Sequence, residues 1–194
     1  SPKSAEPMKK TLEAAVQSGQ LQLTPAQIGQ LCQYGAMLLE KNRVMNLTAI
    51  TEPEAVAQLH FLDCLALLQL ADFGGKKVID IGCGAGFPGI PLLIAQPDLD
   101  LTLLDSTAKR IGWLREEVLP ALGLQAQCVA ARAEEYVSGC RETYAVAVSR
   151  AVARLPVLAE LALPFVQPGG VFLAMKGAAA QQEAPARPTL SVDG

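Results

Sequence analysis

Asp80, Gly82, Gly84 and Gly86 fall at alternate positions in VIDIGCGAGFPGIPL, residues 78–92. Glycine tolerates positive φ and carries no Cβ, so three of them in one turn let bare main chain approach a ligand. The β-branched run before them reads as a strand and residues 87–95 as a helix. The turn then lies at the carboxyl end of the strand, the edge at which open α/β sheets bind ligands. Two phosphate-binding spacings fail here. GxGxxG counted from Gly82 needs a glycine where Phe87 stands. GxxxxGK counted from Gly84 reaches Gly89, but Ile90 and Pro91 follow and no phosphate lysine is present. The spacing met in full is DxGxGxG.

That pattern resembles the first motif of class I S-adenosylmethionine (AdoMet) methyltransferases. AdoMet carries a sulfonium, an ammonium and a carboxylate but no phosphate, which accounts for glycines without the lysine. On this reading N–H groups of the glycine turn donate to the carboxylate, while Asp80 orders the loop or faces the cationic end. Asp105 ends the next apolar run, a little over twenty residues beyond Gly82. An acid there accepts both ribose hydroxyls in dinucleotide folds; it also suits a helix cap, a role open to Ser106 and Thr107 as well. Arg132-Ala133-Glu134 closes the third run, placed to flank an adenine or to form a solvated loop.

The elements that must position these residues follow from periodicity. Residues 1–70 read as helices. Thr24-Pro25 is an N-cap followed by proline, and Ile28, Leu31, Leu38 and Leu39 share one face. Glu52-Pro53 opens a further helix with Ala55, Leu59, Leu62 and Ala66 as its stripe. From residue 76 strands alternate with helices: 76–82, 99–105, 125–132, 144–150 and 169–176. Ile111, Leu114, Val118 and Leu122 mark one intervening helix; Leu158, Leu161, Ala162 and Phe165 mark another. The expectation is an α/β fold, a Rossmann-like, mostly parallel sheet flanked by helices, with a helical extension over 1–70 and the AdoMet-binding domain over 71–194. Residues 177–188 read as a linker, Thr189–Val192 as a strand and Asp193-Gly194 as a hairpin turn. A turn with no strand after it suggests a C-terminal end that is incomplete, or a gap near Glu183.

Composition narrows the class. The chain has 194 residues, 51% of them hydrophobic, and a net charge of −3. A general polyanion binder is usually basic, so contact with nucleic acid must come from a local cluster. Five scattered cysteines with no CxxC pair, and His60 as the one histidine, argue against zinc and for reduced thiols in the cytoplasm. No apolar run reaches the length of a membrane span, and the expectation is a soluble monomer with no metal.

The acceptor is read from what is missing. The fourth strand ends Ser149-Arg150-Ala151, without the [DNS]PP[YFW] of exocyclic-amine enzymes, and no Pro-Cys nucleophile occurs. A ring nitrogen such as guanine N7 exposes a lone pair and needs no base, so positioning and electrostatics suffice. Lys109, Arg110, Arg132, Arg150, Arg154 and Lys176 sit at or beyond strand ends on the glycine-turn edge, where they could meet RNA phosphates or be solvated loop charges. His60 and Asp63 share a helical face, as a pocket-mouth pair or as a local polar pair docking the extension on the sheet. Trp113 and Tyr136 could stack on a base, with packing the stronger reading for Trp113. Met45 and Leu47 read as core.

Taken in order, NRVMNLTAIT (42–51), HFLDCLALL (60–68), DIGCGAGFPGIPL (80–92), TLLDSTAKR (102–110), SRAVARLPVLAE (149–160) and PGGVFLAMKG (168–177) resemble the bacterial RsmG (GidB) family. The resemblance implies an AdoMet-dependent methyltransferase with a helical extension, acting on N7 of a guanine in 16S ribosomal RNA or the small ribosomal subunit. It implies that Gly82 and Phe87 line the AdoMet pocket, that Ala133 and Glu134 border the adenine, that Asp105 holds the ribose, and that Arg150 reaches cofactor or RNA as a positioning group. TLSVDG (189–194) looks like the family's sixth strand and hairpin. Cys64 stands where the family usually has serine, and the acidic balance departs from its basic tail. Two other readings stay open: a small-molecule methyltransferase with the extension as a lid, and an RNA-binding regulatory protein that keeps the pocket without activity.

Overall fold

The computed structural model describes residues 2–151 and 154–176, with the side chains of 2–4, 151 and 176 left aside. The linker, strand and hairpin expected over 177–194 lie outside the described residues. Five strands form one parallel sheet: β1 (Lys77–Ile81), β2 (Asp100–Asp105), β3 (Gln127–Ala130), β4 (Tyr144–Ala151) and β5 (Val166–Lys176), in the order β3-β2-β1-β4-β5. The chain runs outward from β1 through β2 to β3, then crosses to β4 on the other side of β1. That reversal creates a switch-point crevice outside the carboxyl ends of β1, β2 and β4. Register is tight around it, with Asp80 beside Leu103 and Val148. The inner strands are buried on both faces, as a parallel sheet requires.

The helices are α1 (Pro2–Gln17), α2 (Pro25–Met45), α3 (residues 53–69), α4 (Gly89–Ala95), α5 (residues 108–122), the short α6 (Ala133–Tyr136) and α7 (Leu155–Ala162). Helix α2 starts as the sequence indicates. The Gln27 N–H donates to the Thr24 side chain, the Thr24 N–H donates to Gln27 Oε1, and Pro25 takes the first turn. Helices α1–α5 cover one sheet face and share a single apolar core with it, from Met8 and Leu31 through Phe61 to Val78, Leu103 and Met175. On the other face Phe165, Leu158 and Tyr144 pack against Ile79, Leu104 and Phe172.

Two boundaries differ from the expectation. The stripe Ala55, Leu59, Leu62 and Ala66 is not the buried one; Val56, Ala57, His60, Phe61 and Cys64 face inward instead. A π-helical stretch, Val56–Leu62, is inserted in α3. Its wider turn moves the apolar face off a 3.6-residue period. Strand β5 begins at Val166 rather than 169, because Val166 pairs with Tyr144 across a register shift in the ladder. Gln167-Pro168 lies outside the expected strand, yet here it is part of β5, the outermost strand among the described residues, a position where proline is tolerated.

Candidate active site

The glycine turn between β1 and α4 carries positive φ at Gly82 (71°), Gly84 (54°) and Gly86 (106°), but the three glycines do different work. A Cβ added at Gly82 or Gly84 would meet nothing within 4 Å. These two leave space for a ligand. At Gly86 a Cβ would lie 2.7 Å from Ile90 and 2.8 Å from the Tyr34 hydroxyl, so this glycine admits the extension and not a ligand. Tyr34 also donates to the Ala85 carbonyl at 2.6 Å, tying α2 directly to the turn.

Hydrogen bonds within the turn engage most of its amides. The N–H groups of Gly82 and Cys83 donate to the Leu104 carbonyl at 2.8 and 3.0 Å, and those of Gly86 and Phe87 donate to Cys83. Gly84 donates to Asp105 Oδ1 at 3.1 Å. These five amides are engaged inside the protein. What the turn offers is uncovered Cα surface.

Asp80 is fully buried and accepts the Gly89 N–H on Oδ2 at 2.7 Å. A Cβ on Gly89 would come within 2.9 Å of that oxygen, so the approach depends on glycine. Of its two expected roles, ordering the loop is the one the geometry fits, because the side chain has no surface in the crevice. Burial pushes its carboxyl well above the usual range, against the lowering effects of the Gly89 N–H and Arg150.

A cleft of about 380 Å³ opens at the switch point, lined by Gly82, Asp105, Ser106, Ala133, Glu134 and Arg150 among others. Asp105 accepts the Gly84 N–H on one oxygen and the Thr107 N–H, at 2.9 Å, on the other. Arg110 stands 3.9 Å from the second oxygen. An ionised carboxylate has about four acceptor positions, so capacity remains for hydroxyl donors. Asp105 thus braces two loops and also faces the cleft. Ala133 is half-buried in the cleft wall; Glu134 is exposed and paired with Arg132 at 3.1 Å. The Glu134 N–H, and then Arg132, hold its carboxyl below the usual range.

Phe87 lies behind the cleft wall, against Arg150, which lines the cleft. It is buried at 5% exposure, with its ring stacked on His60 at 4.3 Å and the Arg150 guanidinium 4.7 Å from its centroid. Arg150 donates to His60 Nδ1 at 2.7 Å and to the Cys64 sulfur at 3.4 Å. Its Nε is buried without a partner, and it makes no ion pair among the described residues. His60 and Asp63 form no hydrogen bond with each other; His60 reaches across to β4 instead. Burial, then Arg150, lowers the His60 ring to about 3, and burial raises the Asp63 carboxyl.

The other candidates separate cleanly. Lys109, in the first turn of α5, and Arg154, just before α7, are exposed with no ion pair among the described residues, whereas Arg110 and Arg132 have acidic neighbours. Lys176 ends β5. Trp113 is buried packing; Tyr136 stacks on Phe165 at 6.4 Å, turned to the core; Leu47 packs on the core and Met45 is half-buried. Sequence reasoning missed Tyr34 and Thr48, neither of which carries a motif of its own. All five cysteines are free, and no helix among the described residues is long and apolar enough to cross a membrane.

Comparison with known proteins agrees with this geometry. Residues 27–191 match the family model GidB, rRNA small subunit methyltransferase G. The chain is 42% identical over 175 residues to the ribosomal RNA small subunit methyltransferase G of Clostridium botulinum (strain ATCC 19397 / Type A), covering 89% of this chain and 73% of that protein. It is 49% identical over 166 residues to the protein of that name from Desulfitobacterium hafniense (strain Y51), covering 84% and 68%. Among solved structures it resembles a SAM-dependent methyltransferase from Aquifex aeolicus, with TM-score 0.51, 18% identity, and 63% and 66% of the two chains covered. A putative S-adenosyl-L-methionine-dependent methyltransferase from Methanococcus maripaludis gives TM-score 0.51 at 16% identity, covering 78% and 71%. At these identities the structural likeness establishes the fold, a class I methyltransferase architecture.

Proposed function

The chain belongs to the rRNA small subunit methyltransferase G family, and on that premise we propose that it methylates N7 of a guanine in 16S ribosomal RNA, in the cytoplasm, with AdoMet as methyl donor. AdoMet supplies an electrophilic methyl carbon: the N7 lone pair forms the new C–N bond as the S–C bond breaks, leaving a thioether and a cationic base. The observation that carries the reading is the cleft at the switch point, where Gly82 and Gly84 leave open space and Asp105 keeps unused acceptor capacity. The residues present fit a nucleoside: Asp105 would accept from its ribose hydroxyls, and Ala133 and Glu134 would border its adenine.

The chain's own residues then bind, orient and exclude water. Asp105 fixes the sugar, Gly82 and Gly84 admit the body of the donor, and Arg150 offers a positive charge to its carboxylate or to a phosphate. The buried neutral His60 and the buried Ser149, whose hydroxyl donates to the Ile81 carbonyl at 3.0 Å, are not placed to take a proton from substrate. N7 attack needs no such base. Lys109 and Arg154 supply exposed positive charge on a chain whose net charge is −3.

The test is methyl transfer from labelled AdoMet to 16S rRNA presented free, in a partial particle and in the whole small subunit, mapped by chemical cleavage at N7-methylguanine. One cleaved guanine in at least one form is the expected result. No incorporation into any form, with AdoMet still bound, would favour the small-molecule or regulatory reading.

A further inference from the structure

Arg150 is an unusual cation. It is largely enclosed, it makes no ion pair among the described residues, and its two terminal nitrogens donate to neutral acceptors on α3: His60 Nδ1 at 2.7 Å and Cys64 Sγ at 3.4 Å. A guanidinium donates and never accepts, so His60 Nδ1 must carry the lone pair. The ring proton is therefore on Nε2, which lies 2.8 Å from Thr48 Oγ1. Thr48 is held in turn: its Oγ1 also accepts the Ile50 N–H at 3.0 Å, and its own N–H donates to Asn42 Oδ1 at 2.8 Å. His60 stacks on Phe87 at 4.3 Å and 11°, and the same Phe87 ring lies 4.7 Å from the Arg150 guanidinium carbon.

We propose that His60 is a positioning residue for Arg150, its tautomer fixed by the guanidinium at Nδ1 and matched by Thr48 as acceptor at Nε2, so that the guanidinium is held at the cleft by an uncharged acceptor and keeps its full charge for an anionic group of the bound donor or RNA. A carboxylate in place of the imidazole would hold the arginine equally well but would neutralise the charge. Burial lowers the ring's proton affinity, and Arg150 lowers it further, which keeps the acceptor neutral. Asp63, on the same helix, and Asp80, from β1, also act on Arg150 at longer range, and burial raises both carboxyls toward the neutral form. The arrangement gives the NLTAI and HFLDC segments of the extension one shared task at the sheet edge. Cys64 is the weak member: a thiol pushed up to about 12 by burial stays protonated and accepts poorly.

The inference rests on the reading that Arg150 acts at this cleft, and its test separates the two. In the full chain, turnover and AdoMet affinity are measured for R150A, H60A, H60N, H60Q and T48V, with 16S rRNA or the small subunit as acceptor. R150A decides the underlying reading: unchanged turnover would overturn it. Given a defective R150A, H60A should lose about tenfold or more in kcat, as misplacement of a single group can cost, with AdoMet affinity changed much less. H60N, whose Oδ1 replaces Nδ1 as acceptor, should recover most of that loss; H60Q, which keeps only the Thr48 side, should not. Nitrogen NMR of the imidazole should show Nδ1 unprotonated and Nε2 protonated from about pH 8 to about pH 5.5, and T48V should disturb this pattern. Equal activity of H60N and H60Q, or a proton on Nδ1 in the wild type, would overturn the positioning role even if H60A fails to fold.

Discussion

Asp105 braces two loops with one carboxylate, and the proposed function asks the same group to hold a ribose. Its oxygens already accept the Gly84 and Thr107 amides. Replacing it with alanine removes charge-assisted hydrogen bonds of about 1.5–3 kcal/mol each. Titration calorimetry should show AdoMet affinity lowered by at least about tenfold in D105A, with D105N intermediate. His60 gives a pH signature of its own. From pH 6.5 down to about 3 the unfolded chain gains a proton at this ring that the folded protein refuses, so stability falls on acidification through that window. The slope approaches roughly 1.4 kcal/mol per pH unit for a fully buried group. Asp80 acts in the opposite sense: the folded protein keeps a proton that the unfolded chain releases above pH 3.8, so its contribution declines as pH rises. The difference between the urea-denaturation profiles of wild type and H60N removes the Asp80 term. Wild-type stability minus that of H60N should fall steadily from pH 6.5 toward acid, and a flat difference would contradict a neutral buried imidazole.

The turn between β1 and α4 shows what a motif conceals. DxGxGxG foretells a strand-to-helix turn, which is present, yet the pattern does not say which glycine leaves open space and which serves packing. Gly84→Ala should fold, with a cost of about 1 kcal/mol for a left-handed alanine, and should lose AdoMet binding because its methyl enters the open space. Gly86→Ala should destabilise by roughly 3 kcal/mol, since its methyl meets Ile90 and Tyr34 at positive φ. Urea unfolding and calorimetry on the two proteins separate these outcomes. The strands and the Thr24 cap were legible because they depend on local periodicity and on one side chain answering one amide. The inward face of α3 was not, because a π turn breaks the period that a helical reading assumes. The packing of Phe87 against Arg150 and His60 was not legible either, since it is a contact between residues far apart in sequence. Tyr34 and Thr48 carried no signal for the same reason: their importance arises only once α2 and α3 lie on the sheet.

At the scale of the molecule, one apolar core joins the extension to one face of the sheet, so the helices support the site as well as cover it. With a net charge of −3, the proposed RNA contact rests on local cations, for which the exposed Lys109 and Arg154 are the candidates. K109A and R154A should each weaken RNA binding with little sequence preference and reduce the slope of log affinity against log salt by about 1, as measured by filter binding across a salt series. A larger void, about 680 Å³ and mostly apolar, lies between α1 and α2 and includes Val16, Leu23, Ile28 and Cys32. It has neither the glycine turn nor an acid braced by main-chain amides, so size alone does not identify the binding site. The decisive measurement is a crystal structure of the protein soaked in AdoMet. The ribose hydroxyls should lie within hydrogen-bond distance of Asp105, with the adenine against Ala133 and the donor over Gly82 and Gly84. Density in the α1–α2 groove with an empty switch-point cleft, or an Asp105 turned away from the sugar, would contradict the account.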